Sequence, residues 1–124
     1  MKEIFLIGIG GAIGSIVRYL GSNLINKQFP SSMPLGTLII NITGCLIIGI
    51  LLGILGKQSW FNNDWKYLLI TGFCGGYTTF STFAAENISL LQSNQIMQAL
   101  LYIGLSVILG IIAVWLGLQL IKLF

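Results

Sequence analysis

The sequence predicts an all-α integral membrane protein with four transmembrane helices, the third broken near the bilayer centre. Three observations carry that expectation. Of the 124 residues, 56 % are apolar and 7 % charged, against about 25 % charged in a typical soluble domain. A water-soluble protein of this size could not cover its surface with so little charge. Four apolar blocks reach or exceed the ~20 residues that cross ~30 Å of hydrocarbon as a helix, and short polar connections separate them. Only the third block has a run of glycine, threonine and serine in its middle.

The first span, 4–25, is interrupted only by Arg18. It is too long for the apolar region of a signal peptide and lacks a cleavage site before the next span, so it is expected to remain in the mature protein. Its opening, KEIFLIGIGGAIG, looks like a strand leading into a dinucleotide-binding glycine loop. The third glycine position of G-x-G-x-x-G is Ile13, however, and no acidic residue lies between Glu3 and Asp64, so the glycines read as helix-packing residues. The second span, 35–56, is uncharged and places Thr37, Asn41 and Cys45 one turn apart. The third, 67–92, starts apolar, turns polar through GFCGGYTTFSTF at Gly72–Phe83, and continues to Glu86 and Asn87. The fourth, 96–121, is uncharged, with Tyr102 and Ser106 one turn apart. The connections are 26–34 with two prolines, 57–66 with two tryptophans, and 93–95. No soluble domain fits between them, and residues 1–124 read as one membrane domain.

Composition also removes functions. There is no histidine, hence no imidazole base or imidazole metal ligand. The three carboxylates, Glu3, Asp64 and Glu86, are far apart in sequence, which suits no two-carboxylate mechanism. The chain is not expected to be an enzyme. The net charge of +3 comes from cations spread singly among apolar blocks, which is no nucleic-acid footprint. Cys45 and Cys74 lie in apolar stretches without metal or disulfide spacing and read as small hydrophobes. Four helices place both termini on one side, with Lys2, Lys57, Lys66 and Lys122; the other side has Lys27, with Arg18 within reach. The positive-inside rule then favours cytoplasmic termini. Glycine pairs at close-packing spacing (Gly10 and Gly14, Gly49 and Gly53, Gly72 and Gly76) let helix backbones approach. In so short a chain they point to an oligomer.

Polar residues inside a span are functional candidates because each needs a partner or a wet path. Gly75-Gly76 followed by two threonines is a poor helix interior, and a break there leaves N–H and C=O groups that survive only in protein or beside a cavity. Freed carbonyls suit a hard cation. Beyond the break, Phe80 and Phe83 share a face, as do Thr79 and Thr82. Hydroxyls and the Asn41 amide donate hydrogen bonds, and the positive edge of a phenylalanine ring faces an anion. Composition and spacing reach this far: an oligomeric four-helix membrane protein with a polar, ion-related core.

GGAIGSIVRY at Gly10–Tyr19, GTLIINITG at Gly36–Gly44 and GFCGGYTTFSTF at Gly72–Phe83 closely resemble the Fluc/CrcB family of fluoride channels, and the likeness covers the whole chain. The resemblance implies a passive, fluoride-selective channel that exports fluoride and protects the cell from its toxicity. It implies a multi-pass protein of the cell (plasma or inner) membrane, assembled as an antiparallel dual-topology dimer with two pores. By motif, Phe80 and Phe83 correspond to pore-lining phenylalanines and Asn41 to the pore amide donor. Ser81 and Thr82 correspond to the polar track beside it, and Arg18 to an arginine near the vestibule. Gly75 and Thr78 correspond to residues whose backbone carbonyls hold a structural sodium ion at the dimer interface. Dual insertion calls for balanced basic residues, and the lysine tally here is lopsided. An oppositely oriented homologue is therefore an alternative partner to a second copy. The rival functions are a small multidrug-type cation/proton antiporter and a non-transporting scaffold subunit. The antiporter would need a carboxylate within the first span, which carries Arg18 instead, and the scaffold would not need the donor-rich third span.

Overall fold

The computed structural model describes residues 1–124, and every regular element in it is helical. Helix α1 is Lys2–Gln28, α2 is Leu35–Lys57, α3 is Phe80–Gln92 and α4 is Ile96–Lys122. Between α2 and α3 runs a continuous helical rod made of Asn63–Trp65, Lys66–Cys74 and Gly75–Tyr77. The three long helices α1, α2 and α4 are each long and apolar enough to cross a membrane. A helix satisfies its own backbone, which is what the hydrocarbon requires. Their bounds lie within three residues of the first, second and fourth spans read from hydropathy.

The third stretch is not one helix. The Asn62 side chain caps the rod by accepting from the Asp64 and Trp65 amides. The rod's central nine residues, Lys66–Cys74, are π-helical, with backbone pairing to the fifth residue on instead of the fourth. Gly75 is an ordinary right-handed helical residue at φ −61°, ψ −39°, so the glycine pair does not break the chain. The interruption falls on Thr78 (φ −88°, ψ 158°) and Thr79 (φ −149°, ψ 123°), both extended, a conformation that β-branched residues accept readily.

The bundle is two tight pairs: α2 against α4, and α1 against the rod. Close approach explains the glycines. A Cβ on Gly14 would lie 2.2 Å from the Phe73 carbonyl oxygen, and one on Gly49 would lie 2.3 Å from that of Val114. Gly10, Gly53, Gly72 and Gly76 also abut other elements of the same chain. The spacing read as a sign of oligomerisation is therefore used within one subunit. Helix α3 is only lightly packed, mainly on α4, and the turn between them passes through Asn94 at φ 58°. Only 19 of 124 residues are buried, and α1 bears an exposed apolar face through Ile9, Ile13, Ile16 and Leu20. Such a surface needs lipid or another protein against it.

Contacts at one end bring the termini together. Lys2 pairs with Asp64 at 2.5 Å, and Lys57 donates to the Ile121 carbonyl at 2.9 Å. Four of the five lysines thus sit at the end holding both termini, and Lys27 ends α1 at the other.

Candidate functional site

The site is built around the two extended threonines. Asn41, on α2, faces Thr79 and binds both of its backbone groups: its Oδ1 accepts from the Thr79 N–H at 2.8 Å, and its Nδ2 donates to the Thr79 carbonyl at 3.0 Å. One turn away on the other flank, Arg18 of α1 donates from Nε to the Gly76 carbonyl at 3.0 Å. Tyr77 stacks on Phe73 with ring centroids 5.5 Å apart and shares a 2.9 Å hydrogen bond with Thr43. The Thr78 hydroxyl donates back to the Cys74 carbonyl at 2.8 Å. Thr79 also caps α3, its Oγ1 accepting from the Thr82 N–H at 3.2 Å.

The break takes the helical donor from four carbonyls, those of Gly75, Gly76, Tyr77 and Thr78; Arg18 replaces it at Gly76, and Gly75 and Thr78 are two of the three left. In a continuous helix the Gly75 carbonyl accepts from Thr79 N–H, and the Thr78 carbonyl from Thr82 N–H. The first donor is taken by Asn41 and the second by Thr79 Oγ1. Gly75 is exposed, with nothing within 4 Å of where its Cβ would be. Two backbone oxygens stripped of their helical donors are a donor set that fits a hard monovalent cation and suits no soft metal.

A groove of about 460 Å³ opens beside the break, lined by Asn41, Gly75, Thr78, Thr79, Phe80, Phe83 and Ser106 among others. The Phe80 and Phe83 ring centroids are 5.7 Å apart, tilted at 44°. Phe80 is 78 % exposed, whereas Phe83 leans on Tyr102 at 5.0 Å and joins the small core of Leu90 and Ala99. The Ser106 and Tyr102 hydroxyls are buried without a hydrogen-bond partner. Thr37 donates to Glu86 at 2.6 Å, and a smaller opening of about 230 Å³ beside Glu86 is lined by Ser32, Ser89, Ser93 and Gln95.

The structure therefore brings Asn41, Gly75, Thr78, Phe80 and Phe83 to one groove. Ser81 and Thr82 are exposed on α3 and do not line it, and Arg18 reaches the break from the α1 side. Ser106 is a groove residue and Tyr102 a fully buried core residue. Their one-turn spacing was the available signal, and it assigned neither role. Chemically the groove offers uncharged donors and ring edges around an apolar wall, with no carboxylate in it. That arrangement can desolvate and pass an anion without trapping it on a fixed cation.

Comparison with known proteins gives a consistent result. The pattern of the family described as CrcB-like protein, Camphor Resistance (CrcB), matches residues 5–118. The chain is 54 % identical over 122 residues to a Flavobacterium psychrophilum protein named fluoride-specific ion channel FluC, covering 98 % of each chain. It is 45 % identical over 124 residues to a protein of that name from Azobacteroides pseudotrichonymphae, covering 100 % of this chain and 99 % of the other. A third, from Nitratidesulfovibrio vulgaris, bears the same name and is 41 % identical over 118 residues, or 95 % of each chain.

Proposed function

The chain belongs to the CrcB-like family, and we propose that it is a fluoride-specific ion channel of a multi-pass membrane protein class, catalysing no reaction. The observation that carries this reading is likeness over nearly the full length of both chains to proteins named as fluoride-specific channels. The groove chemistry supports it. Fluoride is small and strongly hydrated, so a selective path must replace its water with close donors and still release it. Asn41 and the edges of Phe80 and Phe83 are the groups proposed to do so within the groove, with the Ser81 and Thr82 hydroxyls of α3 as a polar track outside it and Arg18 at the break. Passive export along this path would protect the cell from fluoride.

The working unit in this reading is an antiparallel dimer with one four-helix membrane domain, 1–124, per subunit. The rod and α3 together form the third crossing, broken at Thr78–Thr79. Lightly packed α3, exposed Phe80 and the open groove between them all support a second chain against this face. A sodium ion would be held at the dimer interface by the Gly75 and Thr78 carbonyls of both subunits. It would satisfy oxygens that have lost their donors and supply positive potential to the anion path. The second subunit is another copy or an oppositely oriented homologue.

Purified protein in liposomes tests the reading: fluoride efflux under a gradient, with chloride as the control. Fast fluoride efflux with chloride retained is expected. Equal permeation of both ions, or of neither, overturns it. The antiporter and scaffold readings have no supporting observation in the groove.

A further inference from the structure

The Arg18 contact is odd in its chemistry. A guanidinium inside a membrane span is costly and is ordinarily matched to an anion or a carboxylate. Neither salt bridge of the chain involves Arg18, whose Nε instead meets the neutral Gly76 carbonyl at 3.0 Å, 58 residues away. That carbonyl is the one a continuous helix would have given to Phe80 N–H, and the two extended threonines remove that donor. Without Arg18 it would be an orphan in an apolar region, which is expensive. The nearest remedy is for the chain to leave the Asn41 clamp and rewind through Thr78–Thr79. Rewinding would return Thr79 N–H to the Gly75 carbonyl.

We infer that Arg18 is a positioning residue: through its Nε it holds the Gly76 carbonyl and thereby keeps the break open, leaving the Gly75 and Thr78 carbonyls free for a cation. The last step rests on the sodium reading above. The role belongs to one N–H donor and not to the positive charge, which beside a cation site is unfavourable in itself.

Chain length separates the two roles. Glutamine carries its amide nitrogen as many bonds from Cα as Nε is in arginine and has no charge. Lysine keeps the charge and has a methylene at that point. The experiment compares hydrogen exchange of residues 76–83 in the purified full chain, in wild type, Arg18→Gln, Arg18→Lys and Arg18→Met, together with the sodium concentration that holds the dimer. Arg18→Gln is expected to stay within about twofold of wild type on both readouts. Arg18→Lys and Arg18→Met are expected to exchange about tenfold faster and to need about tenfold more sodium, as for the loss of one hydrogen bond. If lysine preserves protection and glutamine loses it, or if all variants match wild type, the inference is overturned. Should Arg18→Met not fold, the glutamine–lysine pair still decides. A wild-type dimer indifferent to sodium would overturn the sodium reading alone, and the exchange comparison would still judge Arg18.

Discussion

Replacing Asn41 with aspartate cuts the clamp in half. One carboxylate oxygen still accepts from the Thr79 N–H, now 2.8 Å from Asn41 Oδ1. The other takes the place of Nδ2, which donates to the Thr79 carbonyl at 3.0 Å, and sets two oxygens face to face. Leaving a buried carbonyl unsatisfied costs about 1–3 kcal/mol, so a loss near 2 kcal/mol, roughly thirtyfold in the population holding the break, is the expected magnitude. The sign with pH is opposite to that of a salt-bridged aspartate. The ionised form has no donor, whereas the protonated form has an O–H to give back to the carbonyl. Stability and fluoride efflux should both rise as pH falls through the pKa of the new carboxyl group. The assay is thermal unfolding in detergent and fluoride efflux from liposomes, each at neutral and acidic pH. Wild-type stability and efflux in Asn41→Asp at neutral pH would refute the clamp and remove Asn41 from the path.

The two phenylalanines should separate by stability and agree in function: Phe80→Ile changes unfolding by within about 0.5 kcal/mol, Phe83→Ile costs about 1–2 kcal/mol through the lost Tyr102 pair, and both cut fluoride efflux strongly. Gly49→Ala should cost about 1–3 kcal/mol, since its Cβ meets the Val114 carbonyl at 2.3 Å, while Gly104→Ala, with nothing within 4 Å, is neutral or mildly stabilising on unfolding. Asn94→Val should lose about 1–2 kcal/mol at its φ of 58°, and Asn94→Gly should be tolerated, as equilibrium unfolding will show. Tags on the C-terminus should be reachable from outside in roughly half the molecules of an antiparallel homodimer; uniformly cytoplasmic tags would require an oppositely oriented homologue instead.

Hydropathy alone places α1, α2 and α4, because each is a long apolar run, broken only by Arg18 in α1, whose ends are marked by lysines, a proline or the polar Ser93-Asn94-Gln95 turn. The residue types at the break were legible too, but their division of labour was not. Gly75-Gly76 looks like the weak point by propensity. Instead Gly76 is small because α1 passes close to it, a Cβ there lying 2.3 Å from the Gly11 carbonyl oxygen, and the threonines carry the extended conformation. Asn41 and Arg18 announce themselves as polar groups in costly places, yet both bind backbone, and a backbone partner leaves no mark in the sequence. The glycine pairs are silent about assembly for a related reason: spacing shows that two backbones approach, not whose they are, and here they approach within one subunit. Nothing in KYLLITGFC distinguishes a π-helix from an α-helix.

That π-helical stretch governs the rotational phase with which the chain arrives at Thr78. A π turn takes more residues than an α turn, so Lys66–Cys74 holds about one or two residues more than an α-helix making the same number of turns. The surplus makes chain length locally negotiable. Deleting a residue here while one wide turn tightens to α leaves Asn62 and Thr79 aimed as before. Deleting one between Gly75 and Thr79 has no such reserve, and it swings Thr79 away from Asn41. Length differences among related chains should therefore gather in 66–74 and in the preceding loop, and stop abruptly at Gly75.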